Sequence, residues 1–291
     1  MSASAQIFYA ACETIRRPQF DGVGDARCDV AATIDNKKSQ MTTPHNSPLQ
    51  NHLLASLPKA EFDRLAEHLE LVEMTVGDTL YESHGRLKYV YFPTTAVVSL
   101  LYVLESGDTA AIAVVGNEGV VGIALFMGGE TTPNHAFVQL AGCGYRLKAS
   151  FLNKEFNRAG PVLRILLRYT QALTTQMAQT AVCNKHHTLE QQFCRWLLIT
   201  FDRLPSHDMM VTHEMISKMV GVRREGITNA VGKLKRDKLI GSGRGRIVMQ
   251  DRPGLEKNVC ECYDVVRKEY ERLITDIPRR DPEHILGPSS G

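Results

Sequence analysis

The 291-residue chain has no apolar run approaching the ~18 residues of a membrane-spanning helix. Its N-terminus also lacks the apolar core of a signal peptide. A reducing cytoplasm and no membrane partner are therefore expected. Cysteine is sparse: the seven residues at 12, 28, 143, 183, 194, 260 and 262 are odd in number and scattered. They do not read as a disulfide framework. Cys260-Glu261-Cys262 lacks the CxxC spacing of a zinc or redox pair and reads as ordinary helix. Net charge is only +2, so bulk electrostatics neither favour nor exclude nucleic acid. Sequence repeats of fixed period, a phosphate loop and a nucleophile–base arrangement are all missing.

What charge there is concentrates in one place. Arg223, Arg224, Lys233, Lys235, Arg236, Lys238, Arg244 and Arg246 face only Glu225 and Asp237, a net +6 across 24 residues. Such a patch is either a solvated helix face or the footprint of phosphate binding.

The organisation of the chain decides between these. Residues 1–45 read as a disordered tail, with Met41 just before the organised region, and 278–291 as a second tail. A helical lead-in is expected over Leu53–Leu69. From Val72 to Lys148, β-rich runs (Tyr89–Phe92, Val97–Leu104, Ala111–Val115, Ala136–Leu140) alternate with glycine turns, as in an antiparallel sandwich or barrel. A long helix begins at Gly160-Pro161. Its residues Leu163, Leu166, Thr170, Leu173, Met177 and Thr180 form a heptad seam suited to a homodimer. A second helix spans Thr188–Phe201, and a final one Leu255–Leu273, with Val259, Cys262, Val266 and Tyr270 on one stripe that packs back on the protein.

Between them lies the informative segment. Thr212 can cap a helix with Met215, Ile216, Met219 and Val220 on its apolar face, and Gly221 can end it. A second helix restarts near Arg223 and runs to Lys238, with Ile227, Val231 and Leu234 inward. Two helices across a glycine turn make a helix-turn-helix. Its second helix presents Arg223, Arg224, Glu225, Thr228, Asn229 and Lys233 to the major groove. Arg224 suits guanine, Glu225 a cytosine amino group and Asn229 adenine. After it, Leu239–Met249 reads as a hairpin whose tip offers Arg244 and Arg246 to the DNA backbone as a wing.

This order of parts resembles the Crp/Fnr superfamily of bacterial regulators from about Leu53 to Leu273, most specifically over Thr212–Val231. The resemblance implies an α+β fold: an N-terminal antiparallel β jelly roll of the cyclic-nucleotide-binding kind, a long dimerisation helix and a C-terminal winged helix-turn-helix. It implies units at 46–159, 160–187, 188–254 and 255–277, a homodimer on a palindromic operator in double-stranded DNA, contact with RNA polymerase, and no enzymatic activity. Arg224-Glu225 occupy the family's base-reading positions. Asn229 replaces a further arginine found in the best-known members, which argues against their half-site.

In cyclic-AMP-binding members a Gly-Glu holds the ribose and an Arg-Ser or Arg-Thr pair holds the phosphate. Here no glutamate follows Gly122, and Asn134-His135 stand near the place of the Arg pair. Without a guanidinium a buried phosphate lacks its bidentate partner. The effector pocket is assigned to Gly122, Asn134 and His135, cyclic AMP is not expected to bind in the usual way, and no cofactor is expected. Cys12 and Cys28 are too few for an iron–sulfur cluster. Cys183, His186, His187 and Cys194 are the most metal-like set, read instead as a hinge, so no metal is expected. Two competing readings are a cupin-like metal enzyme, for which the barrel offers only His84 and His135, and a DNA-binding protein without an effector.

Overall fold

A computed structural model of the chain describes residues 47–275. The tails expected at 1–45 and 278–291 lie outside the described residues. A 3-10 turn at Pro48–Gln50 leads into α1 (His52–Ala55) and α2 (Lys59–Ala66). The expected lead-in is thus two helices, interrupted before Pro58, which lacks the N–H to continue the first. Asn51 anchors this segment: Oδ1 accepts from the Leu53 and Leu54 amides, while Nδ2 donates to the carbonyls of Pro93 and Gly119.

Seven strands follow: β1 (Glu70–Met74), β2 (Thr79–Tyr81), β3 (Tyr89–Pro93), β4 (Val97–Val103), β5 (Thr109–Val115), β6 (His135–Leu140) and β7 (Gly142–Lys148). They pair antiparallel in two sheets, ordered β1-β7-β3 and β2-β6-β4-β5. Val90 and Phe92 from the first sheet meet Val98, Leu100, Ala113, Val115 and Val138 from the second in one core. This is the two-layer packing that strand periodicity favours. The second sheet is also apolar on its other face, where Val97, Leu101, Ala111, Val114, Phe137 and Leu140 enter a separate core shared with the C-terminal half. Burial on both faces accounts for continuous apolar runs where alternation would otherwise be expected.

α3 (Ala149–Phe156), which the sequence reading did not single out, leads into α4 (Pro161–His186), with Pro161 in its first turn. α5 (Leu189–Phe201) opens on a Thr188–Gln191 capping box. Next come β8 (Asp208–Met210), α6 (His213–Val220), α7 (Arg224–Arg236), β9 (Ile240–Gly243) and β10 (Arg246–Met249). The hairpin gains β8 as a third strand, in the order β8-β10-β9. The chain continues with α8 (Arg252–Asn258), α9 (Glu261–Tyr270) and a π turn at Glu271–Thr275.

Two expectations need correction. The single helix over Leu255–Leu273 is broken, because Val259 and Cys260 are extended, with ψ of 157° and 164°. The heptad seam is also out of phase. Leu166, Leu173 and Thr180 are buried within their own chain, and Leu163, Thr170 and Met177 are half-buried. Leu166 and Leu173 enter the core of the sandwich, while Thr180 Oγ1 donates back to the Gln176 carbonyl within α4 at 2.8 Å and accepts from Arg195 Nη1 on α5 at 3.2 Å. The exposed stripe lies one residue further on, about 100° around the helix, at Leu167, Thr174 and Ala181, spaced by seven, with Leu163 and Thr170 half-buried at its edge.

Candidate nucleic-acid interface

The helix-turn-helix is built by local rules. Thr212 Oγ1 accepts from the Met215 amide at 3.2 Å, capping α6. Gly221, at φ +76°, ends it in the left-handed region, and the amides of Gly221 and Val222 both donate to the Ser217 carbonyl. Ile216, Met219 and Val220 of α6 and Ile227, Ala230, Val231 and Leu234 of α7 are buried together. Gly226 lets α7 approach α5 closely: a Cβ there would stand 2.8 Å from Leu189 Cδ2.

With that face inward, Arg223, Arg224, Glu225, Thr228, Asn229 and Lys233 are all exposed. Thr228 Oγ1 donates to the Arg224 carbonyl at 3.0 Å and lies 3.2 Å from His213 Nδ1. Thr212 is exposed as well as capping. At the wing, Arg244 (φ +50°) and Gly245 (φ +74°) form a two-residue turn with both residues left-handed, the type I′ geometry that matches strand twist. The cations divide into two groups. Lys233 Nζ is held 2.5 Å from Glu190 Oε2, which raises its pKa, and Arg246 is paired with Asp208. Arg223, Arg224 and Arg244 form no ion pair among the described residues.

The assigned effector residues serve the fold. Gly122 (φ +102°) starts a 3-10 turn at Ile123–Leu125. Asn134 accepts from Tyr81 Oη and donates to Thr132 Oγ1, both at 2.8 Å. His135 Nδ1 accepts from the Ser83 amide at 3.4 Å, and burial lowers its pKa. A cavity of about 420 Å³, missed by the sequence reading, opens elsewhere, among Glu118, Arg203, Arg252, Tyr263, Arg267 and Tyr270. Its lining comes from distant segments, so no local motif marks it.

The sequence-nominated metal set does not assemble as such. His186 is exposed and Cys194 lies in the second apolar core. Cys183 and His187 instead meet Cys260 and Cys262, with all four ligand atoms within 4.8 Å of one another. No helix among the described residues is long and apolar enough to cross a membrane.

Residues 191–258 match the Crp-like helix-turn-helix domain. The chain is 23% identical over 212 residues to the global nitrogen regulator of Synechococcus elongatus, covering 69% of this chain and 93% of that protein. FixK2 from Bradyrhizobium japonicum has a similar structure, with a TM-score of 0.58 at 20% identity, covering 66% of this chain and 98% of that one. A CRP-family transcriptional regulator from Thermus thermophilus gives a TM-score of 0.53 at 19% identity, covering 64% and 95% respectively.

Proposed function

We propose that this chain, a member of the Crp/Fnr superfamily of transcriptional regulators, reads a two-fold operator as a homodimer through the N-terminal half of α7. The observation that carries this reading is the exposure of Arg223, Arg224, Glu225, Thr228 and Asn229 beside a fully packed inner face. Arg224 would take guanine, Glu225 a cytosine amino group and Asn229 adenine, while Thr212 and the wing arginine Arg244 would hold phosphates. Lys233 would approach the backbone while staying tethered to Glu190.

Two copies would join along the exposed stripe of α4, where Leu167 is 51% exposed. That would set the recognition helices about one helical turn of DNA apart. RNA polymerase is the proposed protein partner, the cytoplasm the proposed compartment, and the proposed units are 46–159, 160–187, 188–254 and 255–277, the last boundary falling inside α8. The reading includes no enzymatic activity. It also holds that cyclic AMP does not bind in the usual way, because Asn134 and His135 offer no guanidinium and are already engaged with Tyr81, Thr132 and Ser83. Titration calorimetry with cyclic AMP tests this, and micromolar affinity would sink it.

Selection of bound sequences from a random duplex library, using wild type and Arg224→Ala, tests the main reading. A palindromic consensus that loses one base position in the variant is expected. An identical consensus from both proteins would overturn the assignment of α7 as the reader.

A further inference from the structure

Four side chains that the DNA-binding reading leaves unused come together where α4 ends and α9 begins. Cys183 lies in the last turn of α4, and His187 caps that helix one turn later. Cys260 caps α9 and Cys262 is its second residue. The three cysteines are at most 3% exposed and form a cluster of their own, outside both apolar cores.

The spacing is that of ligands around one ion. Cys183 Sγ and Cys260 Sγ are 3.5 Å apart, well beyond the ~2.05 Å of a disulfide bond. Cys262 Sγ and His187 Nδ1 are 3.6 Å apart. A tetrahedral zinc ion with its usual bond lengths separates two sulfurs by about 3.8 Å, and a sulfur from a nitrogen by about 3.6 Å. With all four ligand atoms within 4.8 Å, one ion fits and a multi-iron cluster does not.

The surroundings agree. His187 Nε2 stands 3.3 Å from Glu261 Oε2, the carboxylate partner that orients a ligating imidazole bound through its other nitrogen. Gln192 Nε2 donates to the carbonyls of His187 and Cys183, at 2.8 and 3.4 Å, fixing the turn that carries both ligands. Arg195, buried beside the sulfurs, donates to Thr180 Oγ1 but leaves Nε without a partner and forms no ion pair among the described residues. Three thiolates and a dication leave one net negative charge, which this guanidinium offsets.

We propose that Cys183, His187, Cys260 and Cys262 bind a structural zinc ion that fastens α9 to the end of α4, beside the start of the DNA-binding half. Four protein ligands leave no open position, so the ion holds structure and performs no chemistry.

The full chain, purified reduced, loaded with zinc and desalted, tests this by metal analysis and by cobalt substitution. Expected are about one zinc per chain and a tetrahedral thiolate–cobalt absorption spectrum. Cys260→Ser and His187→Ala should lose the stoichiometric ion. Glu261→Gln should keep it with an affinity about 10- to 100-fold weaker, and Cys194→Ser should leave both metal content and spectrum unchanged. The proposal is overturned if wild-type protein retains no stoichiometric zinc or if cobalt gives no thiolate charge-transfer band. The wild-type readouts decide the matter even where a variant fails to fold.

Discussion

Arg203 Nε donates to Glu118 Oε1 at 2.7 Å, with the two side chains only 6% and 13% exposed. Glu118 belongs to the loop after β5, and Arg203 follows α5, so the pair bolts the sandwich to the DNA-binding half. The same guanidinium reaches Gln176 Oε1 on α4, which also accepts from Tyr270 Oη on α9, while Gln176 Nε2 donates to the Val114 carbonyl. Sandwich, long helix and both C-terminal segments thus share one buried polar network.

Arg203→Met should strand the Glu118 carboxylate in this interior. Loss of one partner from a buried pair costs about 3–5 kcal/mol, whereas replacing both is far milder. Urea unfolding of Arg203→Met and of Arg203→Met with Glu118→Gln measures this. A double variant as unstable as the single one contradicts the pairing.

The cations of the interface should separate by role. Arg224→Ala should cost about 1–3 kcal/mol at one base pair only. Arg244→Ala should weaken all duplexes about equally and lower the salt slope by about one. Arg246→Ala should do less than Arg244→Ala, because Asp208 already neutralises it. Fluorescence anisotropy across salt concentrations distinguishes these, and equal losses for Arg244 and Arg246 would refute the distinction.

A close approach at Gly119 is equally testable. A Cβ there would stand 2.5 Å from Tyr169 Oη, in the middle of the core between sandwich and α4. Gly119→Ala should destabilise by about 1–3 kcal/mol through overpacking. A thermal midpoint unchanged from wild type would show that the tyrosine moves freely.

The helix-turn-helix was readable because its signals are local: Thr212 caps, Gly221 stops, and the apolar period of α7 sets its inner face. The strand runs were readable too, but their sheet order depends on long-range pairing that no single run contains. β8 escaped notice because three residues have meaning only once β10 lies beside them. The α4 seam was misphased because the helix is apolar over a wide arc, and only packing shows that Leu166, Leu173 and Thr180 point inward. The Cys183–Cys262 cluster needed the break at Val259 and Cys260, which the helical period had concealed.

The stability of the sandwich should depend on His135. Burial lowers its pKa from the ordinary 6.5, with His84 acting in the same direction and Glu82 opposing. Between that lowered value and 6.5 the unfolded chain binds more protons than the folded one, so stability falls as pH drops below about 6.5 and is retained above it. His135→Gln should flatten this part of the curve. Unchanged pH dependence in the variant would assign the effect to other groups.

The face of α4 that meets a second copy should be the one the single chain leaves exposed. Leu167 is the large apolar residue of the exposed stripe formed with Thr174 and Ala181, whereas Leu173 is fully buried in the same chain. A charge at Leu167 would enter a dimer seam without disturbing the monomer core. Leu167→Asp should therefore give a folded monomer by light scattering, with a normal circular dichroism spectrum and sharply weakened binding to a palindromic operator. Leu173→Ala should instead lower folding stability by about 2–5 kcal/mol, the usual cost of truncating a core leucine, while leaving folded protein dimeric. If Leu167→Asp remains dimeric, the two copies meet on another surface, and the rotated heptad is only a solvent face.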